Sequence, residues 1–366
     1  MKIGVAAMAL AALLAAAGGE ARGQSPAPSP AALQAGVKAA DRPIAIFVAG
    51  RGVGQPYGAA SGEAGPGAPL TPDTPLRLAS NTKTFVAATA LRLWETGRLD
   101  LDAPIGPLLT PALAELLEAD GYDTGRITVR HLLSHSAGLY DHGGDPRFTR
   151  TITGNPEKRW TREDLVRLSM EYADPQNDPG VEFRYSDTGY ILLGDIIERL
   201  TGRDIAAAVR SELRLERLGL RSTWWEIMET PPAGAAPRAR QWLGDVDATD
   251  IHASMDLYGG GGLVMSVYDL AVFTAALFED RVFDRPETLR EMLWQGPHQG
   301  AETYRLGIFV KRVGAEEFYW HSGFWGTVVY YAPASGMAVA GATTNQDGFR
   351  DLVALVEKAV KVPRPE

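Results

Sequence analysis

Hydrophobic and polar positions divide the chain into stretches of different character. Lys2 precedes an apolar run from Ile3 to about Ala17, and small residues follow, with Ala21 and Gly23 at plausible cleavage positions. This pattern predicts a secretory signal peptide over residues 1–23, because the run is shorter than the ~20 apolar residues that span a bilayer. A Pro/Ser-rich segment, QSPAPSP, predicts a flexible leader over 24–33, and AALQAGVKAA has a short helical pattern. IAIFVAG at 44–50 reads as a buried strand, and the Gly/Pro-rich stretch 61–75 as loops and turns. From Thr82 to Trp94, TKTFVAATALRLW is apolar on nearly every face, as a helix at the centre of the molecule would be, with Gly97 closing it.

Helical periodicity continues to about Arg214. The last third reads as antiparallel strands, EEFYWHSG, GTVVYYAP and MAVAGATTN, followed by a closing helix, FRDLVALVEKAV. Strands at both ends of the chain around a helical middle predict an α/β (α+β) fold, with an antiparallel sheet flanked by helices and a mostly helical lobe inserted over roughly 103–250. Residues 34–366 form one such unit.

Composition narrows the chemistry. With no cysteine among 366 residues, disulfides, thiolate catalysis and cysteine-ligated zinc are excluded. A net charge of −9 without a Lys/Arg block argues against a nucleic-acid partner. Export implies a periplasmic or secreted protein, and nothing requires a metal or an organic cofactor.

Three short elements carry candidate chemistry. In Ser80-Asn81-Thr82-Lys83 the spacing of three puts both side chains on one helical face, where the dipole favours an alkoxide on Ser80 and burial would depress the lysine pKa; an N-cap serine beside a surface lysine is the plainer alternative. Tyr185-Ser186-Asp187 immediately precedes a second helical pattern, where Ser186 or Asp187 could be a cap and Tyr185 a core aromatic. His321-Ser322-Gly323 ends a strand, and its glycine would permit close approach of a ligand backbone. The aromatics Trp320, Phe324 and Trp325 could wall a cleft or pack the core. His131 and His135 have i, i+4 spacing, with His142 near in sequence, but a leucine replaces the glutamate of H-E-x-x-H. Gly259–Gly262 lacks the Lys-Ser/Thr of a phosphate loop and reads as a tight turn.

Taken together and in this order, the elements resemble the serine β-lactamase and DD-peptidase superfamily, in particular class C β-lactamases, D-alanyl-D-alanine carboxypeptidases and related esterases. ITVRHLLSHSAGLYDH, GGGGLVMSVYDLAVF and YYAPASGMAVAGATTNQ support the resemblance, which covers roughly residues 34–360. It implies a β-lactamase/transpeptidase-like fold with Ser80 as acylated nucleophile, Lys83 as its proton acceptor and Tyr185 as proton shuttle. It further implies an oxyanion hole from the backbone N–H groups of Ser80 and Phe324, and a weak, pH-dependent positive field from His321. Asp187 departs from the family's usual asparagine. An ionised carboxylate cannot donate a hydrogen bond, and near Lys83 it would keep the lysine protonated, leaving Tyr185 more of the base role.

The expected activity is an exported serine hydrolase acting on amide or ester bonds, D-alanyl-D-alanine carboxypeptidase-like or esterase-like, with a small-molecule or peptide acyl substrate and peptidoglycan as a potential partner. A β-lactamase is one alternative, and a non-catalytic penicillin- or peptidoglycan-binding sensor is another.

Overall fold

A computed structural model describes residues 28–361. The expected signal peptide and the first part of the leader lie outside the described residues. The leader is shorter than expected, because helix α1 already begins at Pro30 (Pro30–Lys38), with the Ser29 hydroxyl accepting the Ala32 N–H at 3.1 Å.

The main sheet is built from both ends of the chain, as the pattern predicts. Its strands are β1 (Ile44–Ala49), β2 (Tyr57–Ser61), β3 (Phe309–Val313), β4 (Glu316–Gly323), β5 (Thr327–Ala332) and β6 (Met337–Thr343), in the spatial order β3-β4-β5-β6-β1-β2, with every neighbouring pair antiparallel. β1 and β6 pair from Ile44↔Thr343 to Ala49↔Ala338, so the two ends of the chain meet at the sheet's centre. β2 and β3 are edge strands that the hydropathy pattern did not reveal. Tyr-Gly-Ala-Ala-Ser carries one large apolar side chain, and Phe-Val-Lys-Arg-Val interrupts its apolar residues with Lys311-Arg312, although Val310 is buried and Phe309 stacks on Trp320.

Because successive strand residues point to opposite faces, β1 is buried on both sides. Ile44, Ile46 and Val48 pack with Leu33 and Val37 of α1 and with Leu352 and Val356 of a C-terminal helix (Phe349–Val360). Ala45, Phe47 and Ala49 face the larger core on the opposite side, where a helix at Val267–Phe278 covers the sheet. That last helix falls in the third of the chain read as strands. Each large apolar side chain buried this way contributes about 1.5–3 kcal/mol.

The inserted lobe holds helices at Pro111–Ala119, Val129–Leu133, Pro146–Gly154, Arg162–Tyr172, Asp187–Thr201 and Ile205–Glu212. From 213 to 250 it gives way to a 3-10 turn and two-residue strands. The central helix, α2 (Thr82–Glu95), has almost every side chain buried and ends at Gly97, whose φ of 73° is the left-handed stop that the sequence indicated. A small three-stranded sheet ties the approach to this helix in place: Leu76–Arg77 and Trp224–Trp225 both pair with Leu263–Met265, just after the glycine run.

Candidate active site

Ser80 occupies a 3-10 turn, Ala79–Asn81, that runs directly into α2. The turn is fastened from below: Leu78 N–H donates to the Leu263 carbonyl at 2.9 Å, and the Thr327 hydroxyl donates to the Leu78 carbonyl at 3.0 Å while meeting the Asn81 side-chain amide at 2.8 Å. Ala79, with φ 46°, is a buried non-glycine residue in the left-handed region immediately before Ser80. Such a conformation costs about 1–3 kcal/mol and persists only where packing enforces it.

Lys83 is fully buried, one turn along α2. Its Nζ lies 2.9 Å from Ser80 Oγ, 2.8 Å from the Gly260 carbonyl and 2.6 Å from Asp187 Oδ1. An ammonium carries N–H donors and no lone pair, so in its charged form Lys83 donates to Ser80 and to the Gly260 carbonyl and pairs electrostatically with Asp187. The electrostatics agree. Burial alone would push the lysine down, but Asp187 and Tyr185 hold it well above the usual range. Asp187 is likewise held below the usual carboxylate range, since the Lys83 charge and hydrogen bond outweigh its burial.

Asp187 opens the helix Asp187–Thr201, whose N-terminal dipole also favours a carboxylate. Ser186 is its N-cap residue by position, but its hydroxyl donates to the Tyr140 carbonyl at 3.0 Å instead of capping the helix. Tyr185 precedes it with its ring centroid 5.0 Å from Lys83 Nζ. Burial raises the phenol's pKa, against the lowering effects of the Lys83 charge and of hydrogen bonds with Lys83 and Ser80.

Ser80, Tyr185, Asp187 and Phe324 line one cavity of about 170 Å³, closed on its apolar side by Phe148, Ile152 and Met255. Two further carboxylates line it, Asp141 and Asp256. Asp141 accepts from Asp187 N–H at 3.0 Å and from Gly144 N–H at 3.1 Å. Burial, then the Asp187 charge, pushes both Asp141 and Asp256 up to about 7. Among the described lining residues there is no Lys, Arg or His. Sequence reading missed both aspartates, since a lone Asp before Gly143-Gly144 or before the glycine run reads as a turn residue. It missed the Gly260 carbonyl for the same reason, although the glycine run is the tight turn that its composition indicates, with φ 121° at Gly259 and 118° at Gly262.

The third element is arranged differently from the expectation. His321 is buried behind the cavity, with Nε2 3.1 Å from the Tyr304 hydroxyl and Nδ1 bonded at the Ser322 backbone. Burial and the Lys83 charge depress it to about 3. It is therefore neutral at physiological pH and supplies no positive field. Gly323 does allow a close backbone approach, but by the chain itself: a Cβ there would lie 1.9 Å from the Leu78 carbonyl oxygen. Ser322 is half-buried on β4 and does not line the cavity. Pairing of β4 with β3 stops at Phe309↔Trp320, so residues 321–323 pair within the sheet on the β5 side alone. Of the flanking aromatics, Phe324 walls the cavity at 36% exposure, whereas Trp325 is in the core and Trp320 stacks on Phe309 and Tyr330.

Two other histidines singled out by their spacing have structural partners. His131 closes a capping box with Thr128, and His142 Nδ1 lies 2.9 Å from the Thr188 hydroxyl. Among the described residues no group of three His, Asp or Glu side chains is arranged to hold a metal ion.

Comparison with known proteins gives a consistent setting. A family model described as Beta-lactamase matches residues 31–360. ML-236A carboxylate methylbutanoyltransferase of Penicillium citrinum is 32% identical over 173 residues, 44% of this chain and 40% of that protein. An esterase of Burkholderia gladioli is 37% identical over 161 residues, 42% of this chain and 39% of the esterase. Both alignments thus span less than half of the relative's own length. Among solved structures, a D-stereospecific amidohydrolase from Streptomyces sp. superposes with a TM-score of 0.73 at 25% identity, over 89% of this chain and 97% of that one. The D-amino acid amidase of Ochrobactrum anthropi SV3, complexed with L-phenylalanine amide, gives 0.72 at 26% identity over 90% and 97%.

Proposed function

Since the chain belongs to the beta-lactamase family and is a serine hydrolase, we propose that it cleaves small carboxylic esters and amides through a Ser80 acyl-enzyme, and that it favours substrates bearing an ammonium group near the scissile carbonyl. The observation that carries this reading is the acidic lining without a free cation: Asp141, Asp187 and Asp256 line the cavity, Lys83 is paired with Asp187, and Asp141 and Asp256, pushed up to about 7, ionise as pH rises past neutral. A carboxylate-bearing substrate would find no free cation in this cavity and, above about pH 7, would meet two further carboxylates. That ranks both the D-alanyl-D-alanine carboxypeptidase and the β-lactamase readings below an esterase or amidase, because their substrates each carry a carboxylate beside the bond to be cleaved. The amino acid amide bound by the Ochrobactrum amidase has the opposite character and supports the ranking.

In the proposed reaction Ser80 Oγ attacks the carbonyl carbon. Its proton passes through the Tyr185 phenol to the leaving oxygen or nitrogen as the bond from that atom to the carbonyl carbon breaks. Lys83 stays an ammonium and stabilises the transient negative charge on Ser80 Oγ and on the phenol oxygen. Backbone N–H groups of Ser80 and Phe324 would receive the oxyanion. Water then attacks the acyl-enzyme, gives one proton back towards Ser80 Oγ, and the acid departs. A cavity of about 170 Å³, below the ~300–1,000 Å³ of ordinary ligand pockets, suits a small acyl group.

The test compares wild type with Ser80→Ala on p-nitrophenyl acetate, on D- and L-phenylalanine amide, on phenylalanine methyl ester with and without N-acetylation, and on benzylpenicillin, following hydrolysis and intact mass. Ser80-dependent turnover of the esters and amides, with N-acetylation lowering kcat/KM at least about tenfold, is the expected result. Faster reaction of penicillin than of any ester or amide would overturn the ranking. Export is part of the proposal, resting on residues 1–23, and N-terminal sequencing of the protein recovered from a bacterial periplasm tests it.

A further inference from the structure

His135 holds the chain on both sides of Tyr185. It follows the short helix Val129–Leu133, takes a φ of 54° and is 2% exposed. Its carbonyl accepts the Arg184 N–H at 2.7 Å, and its ring Nδ1 accepts the Ser186 N–H at 3.1 Å. Its imidazole also packs on the Tyr185 ring, with centroids 4.2 Å apart and planes 35° apart. One residue thus fixes the backbone before Tyr185, the backbone after it, and the direction of its ring.

This arrangement is costly. Nδ1 must present a lone pair, so the ring proton sits on Nε2, and that buried Nε2–H has no hydrogen-bond partner among the described residues. An orphaned buried donor costs about 1–3 kcal/mol, and the positive φ adds to it. A histidine serving only to fill space would carry neither burden. Lys83 from α2 and His321 from β4 face it along with the phenols of Tyr185, Tyr190 and Tyr304. Burial and the Lys83 charge keep its pKa well below 6.5, so the acceptor on Nδ1 persists across the physiological range.

We propose that His135 is a positioning residue for catalysis, holding the Tyr185 hydroxyl in line with Ser80 through two backbone hydrogen bonds and a ring contact. The inference rests on Tyr185 being the proton-transfer group. It accounts for a histidine that the proposed chemistry does not otherwise use.

The test is steady-state kinetics of the full chain on p-nitrophenyl acetate for His135→Ala, His135→Asn, His135→Phe, Tyr185→Phe and the Tyr185→Phe/His135→Ala double variant. Misplacing a reacting group by about 1 Å costs on the order of 100-fold, so His135→Ala should lower kcat about 100-fold with KM within about threefold. Asparagine tolerates positive φ and offers an acceptor near the Nδ1 position, so His135→Asn should recover about tenfold of that loss. The double variant should be no slower than Tyr185→Phe. If His135→Ala does not fold, His135→Phe, which keeps the ring and removes the acceptor, should still lower kcat about tenfold or more. A folded His135→Ala or His135→Phe with kcat within about threefold of wild type and only a lower Tm would overturn the inference while leaving the role of Tyr185 intact. Full activity in Tyr185→Phe would overturn that role and the inference with it.

Discussion

The Asp187 carboxylate lies 2.6 Å from the Lys83 ammonium, closer than Ser80 Oγ at 2.9 Å. The lysine that would take the nucleophile's proton is therefore engaged by a fixed negative charge. Asparagine at position 187 would keep a carbonyl oxygen for Lys83 and lose the charge, so this one side chain decides whether Lys83 can exist as a free amine at neutral pH.

Replacing Asp187 with Asn should lower the Lys83 pKa, because the carboxylate is the main influence raising it against burial. A base with a lower pKa becomes available at lower pH, so the acid limb of the kcat/KM profile should move to lower pH. Turnover of an amino acid amide at pH 7 should rise about tenfold, at the low end of what general-base catalysis supplies. Amide hydrolysis followed from pH 5 to 10 checks this. A loss of rate, or an unmoved limb, would mean that Asp187 takes part in the chemistry instead of restraining it.

Asp256 makes a prediction about stability. Its carboxyl is pushed up to about 7 from the ordinary 3.8 by burial and the Asp187 charge. Between those values the folded protein holds a proton that the unfolded chain has released. This stabilising contribution is complete below about pH 4 and lost as pH rises through 7. Asp256→Asn should therefore raise Tm at pH 8.5, by an amount corresponding to at most about 4 kcal/mol, and leave it nearly unchanged at pH 4. Thermal melts at the two pH values decide it; an equal shift at both would show that charge is not the cause.

What the sequence made legible, and what it did not, follows from the range of the forces involved. Ser80 and Lys83 are three residues apart, at the entry to and in the first turn of a helix that is apolar on nearly every face, so local pattern sufficed. The central strands Ile44–Ala49 and Met337–Thr343 announce themselves by apolar content in the same way. The edge strands do not, since each mixes small or charged residues with its apolar ones and the alternation is too short to read. Asp141 and Asp256 reach the Asp187 carboxylate across long sequence separations, and no local spacing encodes that meeting. The charge of His321 was misread because residue type gives the ordinary pKa, whereas burial and a neighbouring ammonium set the actual one.

Gly323 should tolerate no side chain. An alanine Cβ would stand 1.9 Å from the Leu78 carbonyl oxygen and 2.5 Å from Thr327 Oγ1, and the Leu78 backbone cannot retreat without moving the Ala79–Asn81 turn. Overpacking of this kind costs about 1–3 kcal/mol, so Gly323→Ala should lower Tm and slow labelling of Ser80 by a fluorophosphonate. Unchanged labelling kinetics would separate the strand end from the placement of the nucleophile.

His321 should behave as a neutral hydrogen-bonding group throughout the working range. Its depressed pKa of about 3 puts protonation below the pH of any assay, and a charge that is absent cannot contribute to binding. Two outcomes follow. The 15N shifts of its imidazole should stay those of a neutral ring from pH 5 to 8. His321→Gln, which is also neutral and can partner the Tyr304 hydroxyl, should hold kcat/KM for an uncharged ester within about fivefold, the worth of one neutral hydrogen bond at about 1 kcal/mol. The same substitution should not change the discrimination between a neutral ester and one carrying a carboxylate, because the proposed reading assigns that discrimination to the acidic lining of the cavity. A selective loss on the carboxylate ester would mean that His321 is protonated when substrate binds, and the field in the site would have to be redrawn with a cation on the β4 side.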